Sequence, residues 1–301
     1  MSTNDYLKNV LASHNLKNDA EEIEKVREER SNVEKIIKDK YPDAKKTIRY
    51  GGSYAKDTMI KDNYDLDILC YFHEGENAAG ESLEEIYNNI KKCLDDSYYI
   101  QTKRSALRLK NKEDKNDFHI DVVPGRFVEK DNGDAYLYQE GAEKSRLKTN
   151  PDKHIDYIKN SKLIDIIKLL KIWGNKNGVE IKTFVLELLT VKVLIDRKDK
   201  SLSENLKYFW EEMKDNIDNI AIEDPANPNN DLSDIFNDSV KQSIKLIAEI
   251  ALGNIENDEW ENIFGQIEDN DSDDKDNEEK KRKIESFASS AGVVAKPYAE
   301  Q

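Results

Sequence analysis

Residues 51–67 read GGSYAKDTMIKDNYDLD, and residues 68–72 continue them as the apolar run ILCYF. The segment YDLDILCYF is β-prone, so Asp65 and Asp67, two residues apart, project from one face of a strand. Leu66 and Ile68 then project from the other. A second apolar segment, FHIDVV at 118–123, carries Asp121 and predicts a neighbouring strand that sets this carboxylate beside the first two. Three clustered carboxylates repel one another unless positive charge sits between them. Divalent metal ions meet that need, and two of them can clamp the attacking and leaving oxygens of a phosphoryl transfer. Just upstream, Gly51, Gly52 and Ser53 form a turn whose backbone N–H groups and hydroxyl suit phosphates.

Taken singly, these signals are weak. A DLD triplet also fits a solvated strand end, and GGS also fits a plain turn. Asp121 is harder to set aside, because a carboxylate flanked by Phe118, Ile120, Val122 and Val123 is costly to bury without a partner. The conjunction of turn, paired Asp and embedded third Asp points to a nucleotidyltransferase.

The bulk properties narrow the class. At 301 residues the chain can bury a full core; 37% of residues are hydrophobic and 36% charged, with the apolar ones clustered. That pattern predicts a folded protein with long solvated helices. The sequence has no apolar run long enough to span a membrane and no signal-peptide pattern, so a cytoplasmic location is expected. Cys70 and Cys93 form no CxxC pair, which argues against a disulfide framework or a zinc site. A net charge of −15 argues against a protein that grips long nucleic acid, since that affinity comes largely from Lys and Arg. Small nucleotides remain compatible with local basic residues.

Along the chain, a helix is expected from Asp19 to Lys40, ended by Pro42, and a strand at Thr47–Tyr50. After the Asp65 strand come a helix at Leu83–Leu94 and β-prone pieces at Tyr98–Thr102 and Ser105–Leu109. The Asp121 strand follows and is expected to end at Pro124-Gly125. From Pro151 the pattern turns helical: Ile164, Ile167, Leu170 and Trp173 share a helical spacing, with Trp173 read as core. Further helices are expected at Thr183–Ile195 and Val240–Leu252, separated by the loop DPANPNNDL at 224–232. Residues 268–279 are an acidic run, followed by basic residues 280–283 and a tail rich in small residues. The expected division is 1–150, a catalytic core with a long N-terminal helix; 151–265, a helical domain; and 266–301, an acidic linker with a mobile tail.

The order GGSYAKDTMI, DLDILCYF, FHIDVVPG, TNPDKHIDYI, LIDIIKLLKIWGN, IKTFVLELL and DPANPNND resembles the polymerase-β-like nucleotidyltransferases. More narrowly it resembles the bacterial cGAS/DncV-like nucleotidyltransferases (CD-NTases), which make cyclic oligonucleotide signals in anti-phage (CBASS) defence. The resemblance runs from the N-terminal helix to about residue 255. It implies an α+β fold in which a mixed sheet with helices joins a C-terminal helical half, with the active-site cleft between them.

The resemblance makes Asp65, Asp67 and Asp121 both the catalytic residues and the ligands of Mg²⁺ or Mn²⁺, with Asp121 orienting or deprotonating the attacking hydroxyl. It makes Gly52 and Ser53 the triphosphate-binding turn, and Lys171 the lysine that reaches the triphosphate. Thr183 stands where the family usually has a serine at the phosphates, and Phe184 where a tyrosine often stacks on the base. Thr keeps the hydroxyl, while Phe keeps the stacking face without the polar group. On sequence alone Lys171 reads equally as a surface lysine and Phe184 as core. His119 fits either the site or a structural role, and Arg104 and Arg108 fit either acceptor contacts or solvated strand positions. The implied partners are ribonucleoside triphosphates, a downstream effector that binds the product, and a regulatory or conjugating protein at the C-terminus. Neither a membrane nor long nucleic acid is implied. The rival readings are a linear oligonucleotide synthase, an RNA- or tRNA-extending enzyme, a transferase that adenylylates other acceptors, and a non-catalytic binding module.

Overall fold

The computed structural model describes residues 1–61, 64–112, 118–128, 133–230, 232–233 and 235–267. The acidic run, the basic cluster and the tail lie outside the described residues. Residues Met1–Gly265 form one compact unit.

In chain order the elements are helices α1 (Thr3–Ser13) and α2 (Ala20–Lys40), strand β1 (Lys46–Tyr50), the short helix α3 (Gly52–Lys56) and β2 (Leu66–Phe72). Next come α4 (Leu83–Leu94), β3 (Tyr98–Thr102), β4 (Leu107–Asn111), β5 (Ile120–Phe127), β6 (Ala135–Tyr138) and β7 (Arg146–Thr149). The remainder is helical: α5 (Pro151–Ser161), α6 (Ile164–Asn177), α7 (Thr183–Leu194), α8 (Leu202–Asp215), α9 (Asp238–Glu256) and α10 (Trp260–Phe264).

Local chemistry accounts for many boundaries. The Asp19 side chain caps α2 by accepting from the Glu22 N–H. Ser82 and Glu85 form a reciprocal capping box at the start of α4. Asn150 caps α5 with Pro151 in its first turn, and Gly178 at φ +68° stops α6.

The strands form one mixed sheet of order β1-β2-β5-β4-β3, with β6 on the far end of β5 and β7 beyond it. Only β2 and β5 pair in parallel; the other pairings are antiparallel. The β5 strand runs on to Phe127, past the expected end at Pro124-Gly125. Pro124 is tolerated because it falls in a gap: β4 pairs with β5 only as far as Val122, and β6 begins its pairing at Gly125. The expected piece at Ser105–Leu109 lies two residues later, as β4. The sequence reading omitted α1, α3, α8, α10, β6 and β7.

The two sheet faces differ in character. Leu66, Ile68, Cys70 and Phe72 join Leu107, Leu109, Ile120 and Val122 in a dry core closed by α2 and α4. The opposite face carries Leu69, Tyr71, Ala135 and Leu137. Because strand side chains alternate, Asp67 shares this second face with Leu69 and Tyr71, as Asp121 does with Val123. The helical part has its own aromatic core, in which Trp173 lies 6.4 Å from Phe209 and 5.8 Å from Trp210 between ring centroids. Although α1 precedes the sheet in the chain, it packs against α6 and α8, and the Tyr6 hydroxyl donates to the Gly265 carbonyl at 2.6 Å.

Candidate active site

The register of the parallel pair brings the carboxylates together. Asp67 on β2 lies directly opposite Asp121 on β5, and Asp65 immediately precedes β2. On the other side of β5, Arg108 of β4 lies opposite Asp121. All four line a cavity of about 810 Å³.

Positive charge already reaches two of the carboxylates. Arg108 Nε donates to Asp121 Oδ1 at 2.8 Å and Nη2 to Oδ2 at 3.0 Å, and the same Nη2 contacts Asp65. Lys103 Nζ donates to Asp121 Oδ2 at 2.9 Å. Burial alone would raise the Asp121 carboxyl, but the bonds from Arg108 and Lys103 override it and hold the group below its usual range. Asp67 receives less help. Desolvation, reinforced by Asp121 and Asp65 and only partly offset by Lys56, pushes its carboxyl up to about 7.

The Gly-Ser turn abuts Asp67. The Gly51 N–H donates to the Asp67 carbonyl at 2.9 Å, and Gly52 has φ +51°. Gly52 and Ser53 line the cavity at the start of α3. Thr183 and Phe184, at the start of α7, line it from the helical part. The Phe184 ring stands 5.0 Å from that of His154, whose Nε2 lies 2.6 Å from Asp224 Oδ1. Asp224 also accepts from the Ala226 N–H and from Asn230 Nδ2, both at 2.8 Å.

Lys171 is not at the surface. It is 7% exposed, and its Nζ donates to the Thr58 carbonyl (2.9 Å), Thr58 Oγ1 (2.9 Å) and Glu187 Oε1 (2.7 Å). Glu187, fully buried on α7, also accepts from Thr58 Oγ1 at 2.6 Å and contacts Lys56. Burial alone would raise the Glu187 carboxyl, yet Lys171 and Lys56 override it and hold the group at about 2.

Every residue expected at the site from the sequence therefore borders one cavity, with Lys171 turned toward protein partners. Arg104 and Arg108 border it too, whereas His119 is not among the lining residues and its carbonyl accepts from the Leu66 N–H. Lys56, Lys103, Glu187, His154 and Asp224 were not singled out from the sequence. Lys56 lay in the quoted turn motif, Asp224 in the quoted loop, and His154 and Glu187 in quoted helical motifs; Lys103 lay in none.

The described residues contain no group of three acidic, His or Cys side chains arranged to hold a metal ion. Arg108 stands between Asp65 and Asp121 and contacts both. The donor set itself, all carboxylate oxygen, suits Mg²⁺ or Mn²⁺.

A mixed sheet that pairs carboxylates on adjacent strands beside a Gly-Ser turn, facing a helical half across a cavity, defines a nucleotidyltransferase. Residues 1–161, more than half of the chain, match the family model of the Second Messenger Oligonucleotide or Dinucleotide Synthetase domain (SMODS), and the protein belongs to that family. No curated protein matches the sequence. Among solved structures, CdnC of E. coli MS115-1 with ATP is similar at 19% identity and a TM-score of 0.66, over 87% of this chain and 98% of that one. The CD-NTase CdnG of Bradyrhizobium diazoefficiens in complex with GTP is similar at 14% identity and a TM-score of 0.67, over 88% and 95%. The di-nucleotide cyclase DncV of Vibrio cholerae, in complex with ATP and GTP, is similar at 14% identity and a TM-score of 0.59, over 88% and 86%. At these identities the likeness establishes the shared fold. No described helix is long and apolar enough to cross a membrane.

Proposed function

We propose that the protein joins ribonucleoside triphosphates into a cyclic di- or trinucleotide second messenger and releases pyrophosphate, as part of anti-phage (CBASS) signalling. The observation that carries this reading is the cross-strand pair of Asp67 and Asp121, with Asp65 beside it, on a cavity shared with Gly52 and Ser53. Division of labour follows the chain: residues 1–150 present the carboxylates and the phosphate turn, and residues 151–265 present Thr183 and Phe184.

Asp65, Asp67 and Asp121 would hold Mg²⁺ or Mn²⁺, which supplies charge neutralisation at the phosphates and lowers the pKa of a bound hydroxyl. Asp121, held ionised by its basic neighbours, is the acceptor for the attacking ribose hydroxyl. The Gly52 backbone and the Ser53 and Thr183 hydroxyls hold the triphosphate, and Phe184 offers a face to the base. The hydroxyl oxygen bonds to the α-phosphorus, the bridging bond to the β-phosphate breaks, and pyrophosphate leaves. A second transfer within the linear product closes the ring.

Support for the substrates comes from relatives bound to ATP and GTP. A complex of E. coli CdnC with a HORMA protein supports a regulatory partner here too. A downstream effector would bind the product, and the tail after Gly265 is proposed as the place for a regulatory or conjugating protein.

The test is incubation of the purified protein with all four ribonucleoside triphosphates and Mg²⁺ or Mn²⁺, followed by phosphatase treatment and mass spectrometry. A phosphatase-resistant product that disappears in the Asp65→Ala/Asp67→Ala variant supports the reading. Phosphatase-sensitive chains would replace it with linear synthesis, and extension of added RNA with RNA-dependent transfer.

A further inference from the structure

The β2–β5 ladder fixes Asp67 and Asp121, which lie opposite one another within it. Asp65 lies outside that ladder. It precedes β2, and the pairing of the two strands begins at Leu66, whose N–H donates to the His119 carbonyl at 3.1 Å. Its side chain contacts Arg108, a partner it shares with Asp121, but the placement of its backbone depends on the residues around it. Oxygen ligands of Mg²⁺ must approach a near-ideal octahedron, so a loosely placed third carboxylate would hold the ion poorly. The structure that locks such a ligand is found in the side chains behind it.

Those side chains belong to two aromatic residues and to the first turns of α2. Tyr64, the residue before Asp65, donates its hydroxyl to the Glu22 carboxylate. Its ring packs on Phe118 with centroids 5.5 Å apart and planes inclined at 51°. Phe118 stands three residues before Asp121, at the entry to β5, and Lys25 Nζ lies 5.3 Å from its ring centroid. Both rings are partly buried and packed against the dry core. Three residues before Tyr64, the Lys61 N–H donates to the His14 carbonyl at 2.9 Å, and Lys61 Nζ pairs at 2.8 Å with Asp19, the cap of α2. Asp19, Glu22 and Lys25 thus follow one another at intervals of three along the start of α2 and meet Lys61, Tyr64 and Phe118 in turn. A hydroxyl donating to a carboxylate is among the stronger hydrogen bonds, and a tilted aromatic pair has a defined geometry.

We propose that Tyr64 and Phe118, tied to α2 through Glu22 and Lys25, are positioning residues that set Asp65 against the Asp67–Asp121 pair. The aromatic pair joins the entries of the two carboxylate strands to each other and to one helix, so the three carboxylates keep a single spacing. The proposal rests on the nucleotidyltransferase reading above, in which these carboxylates hold the metal ions.

The experiment measures Mn²⁺ binding to the full-length protein by electron paramagnetic resonance, with Tm recorded for each variant. Wild type is compared with Tyr64→Leu, Phe118→Leu, Tyr64→Phe and Asp65→Asn. Tyr98→Phe is the control, because it also removes a tyrosine hydroxyl bonded to a glutamate of α2, Glu29, but from β3. Wild type is expected to bind Mn²⁺, and Asp65→Asn to bind it more weakly. Tyr64→Leu and Phe118→Leu should weaken binding about tenfold or more, the range for residues that orient a metal ligand. Tyr64→Phe should weaken it less, since the ring contact remains. Tyr98→Phe should lower Tm and leave the Mn²⁺ affinity where it was. Wild-type affinity in Tyr64→Leu overturns the proposal, as does an equal weakening in Tyr98→Phe, which would mark a general loosening of the fold. Should the leucine variants fail to fold, wild-type affinity in Tyr64→Phe overturns it instead. Wild-type protein whose Mn²⁺ binding is indifferent to Asp65→Asn would overturn the metal reading of the site together with the proposal, which separates the two failures.

Discussion

A Cβ placed on Gly52 would lie 1.6 Å from Oδ2 of Asp67. The Gly-Ser turn and the Asp67 carboxylate thus leave no room between them for a side chain at position 52. Gly52 also needs φ +51°, which an L side chain adopts only at a cost of roughly 1–2 kcal/mol. Gly52→Ala is expected to displace the Asp67 side chain and reduce product formation at least about a hundredfold, while Tm falls by only a few degrees. Steady-state rates beside a thermal melt check both halves of this expectation.

Asp121 is the acceptor that Arg108 and Lys103 share. In the proposed reaction Asp121 accepts the proton of the attacking hydroxyl, and Asp121→Ala removes that group and leaves two cations facing the cavity. Product formation should fall about a thousandfold or more. Stability should fall by about 1–3 kcal/mol, because the ion pairs of the ionised carboxylate outweigh the cost of its burial. Product quantification and urea unfolding of the variant test the two parts separately.

Glu187 predicts an acid-sensitive step in stability. Its carboxyl is held at about 2 in the folded protein against an ordinary 4.5, so the folded state binds protons less readily than the unfolded chain. The associated stability is present in full above about pH 4.5 and is lost as the pH falls toward 2. The difference corresponds to about 3 kcal/mol. Glu187→Gln should be destabilised at neutral pH by about 3–5 kcal/mol, since it leaves two buried lysines without their anion. The gap between the two proteins should narrow in acid; parallel urea midpoints at pH 7, 4 and 3 would refute it.

Asp224 is the anchor of the Pro/Asn-rich loop. Burial would raise its carboxyl, but His154 and Asn230 override that and keep it low. Asp224→Ala removes the acceptor for His154, Asn230 and two backbone N–H groups. The expected loss is about 1–3 kcal/mol, with faster proteolysis or amide exchange confined to residues 224–230.

The catalytic stretch was legible because its signals are local. Asp65 and Asp67 are two apart, and the strand period fixes their common face. The paired apolar runs also indicated that the Asp65 and Asp121 strands are neighbours, as β2 and β5 are. What escaped the sequence depends on register or on partners far along the chain. Arg108 faces Asp121 only because β4 and β5 align as they do. Lys171 looked like a surface lysine because its partners, Thr58 and Glu187, sit 113 and 16 residues away. The strand through Pro124 was cut short because a lone sequence does not reveal a gap between two neighbouring strands. Helix α1 has just three buried residues, Tyr6, Leu7 and Val10, too few for a strong periodic signal.

That first helix carries a consequence for biosynthesis. Its partner α6 begins at Ile164, some 150 residues after α1 ends at Ser13. At translation rates of about 5–20 residues per second, the apolar side of α1 waits on the order of ten seconds before its docking surface exists. The whole sheet can form within that interval, so the nascent chain passes through a stage in which the carboxylates are assembled but the opposite wall of their cavity is not yet made. Docking of α1 onto α6 and α8 therefore waits until both of those helices have been made.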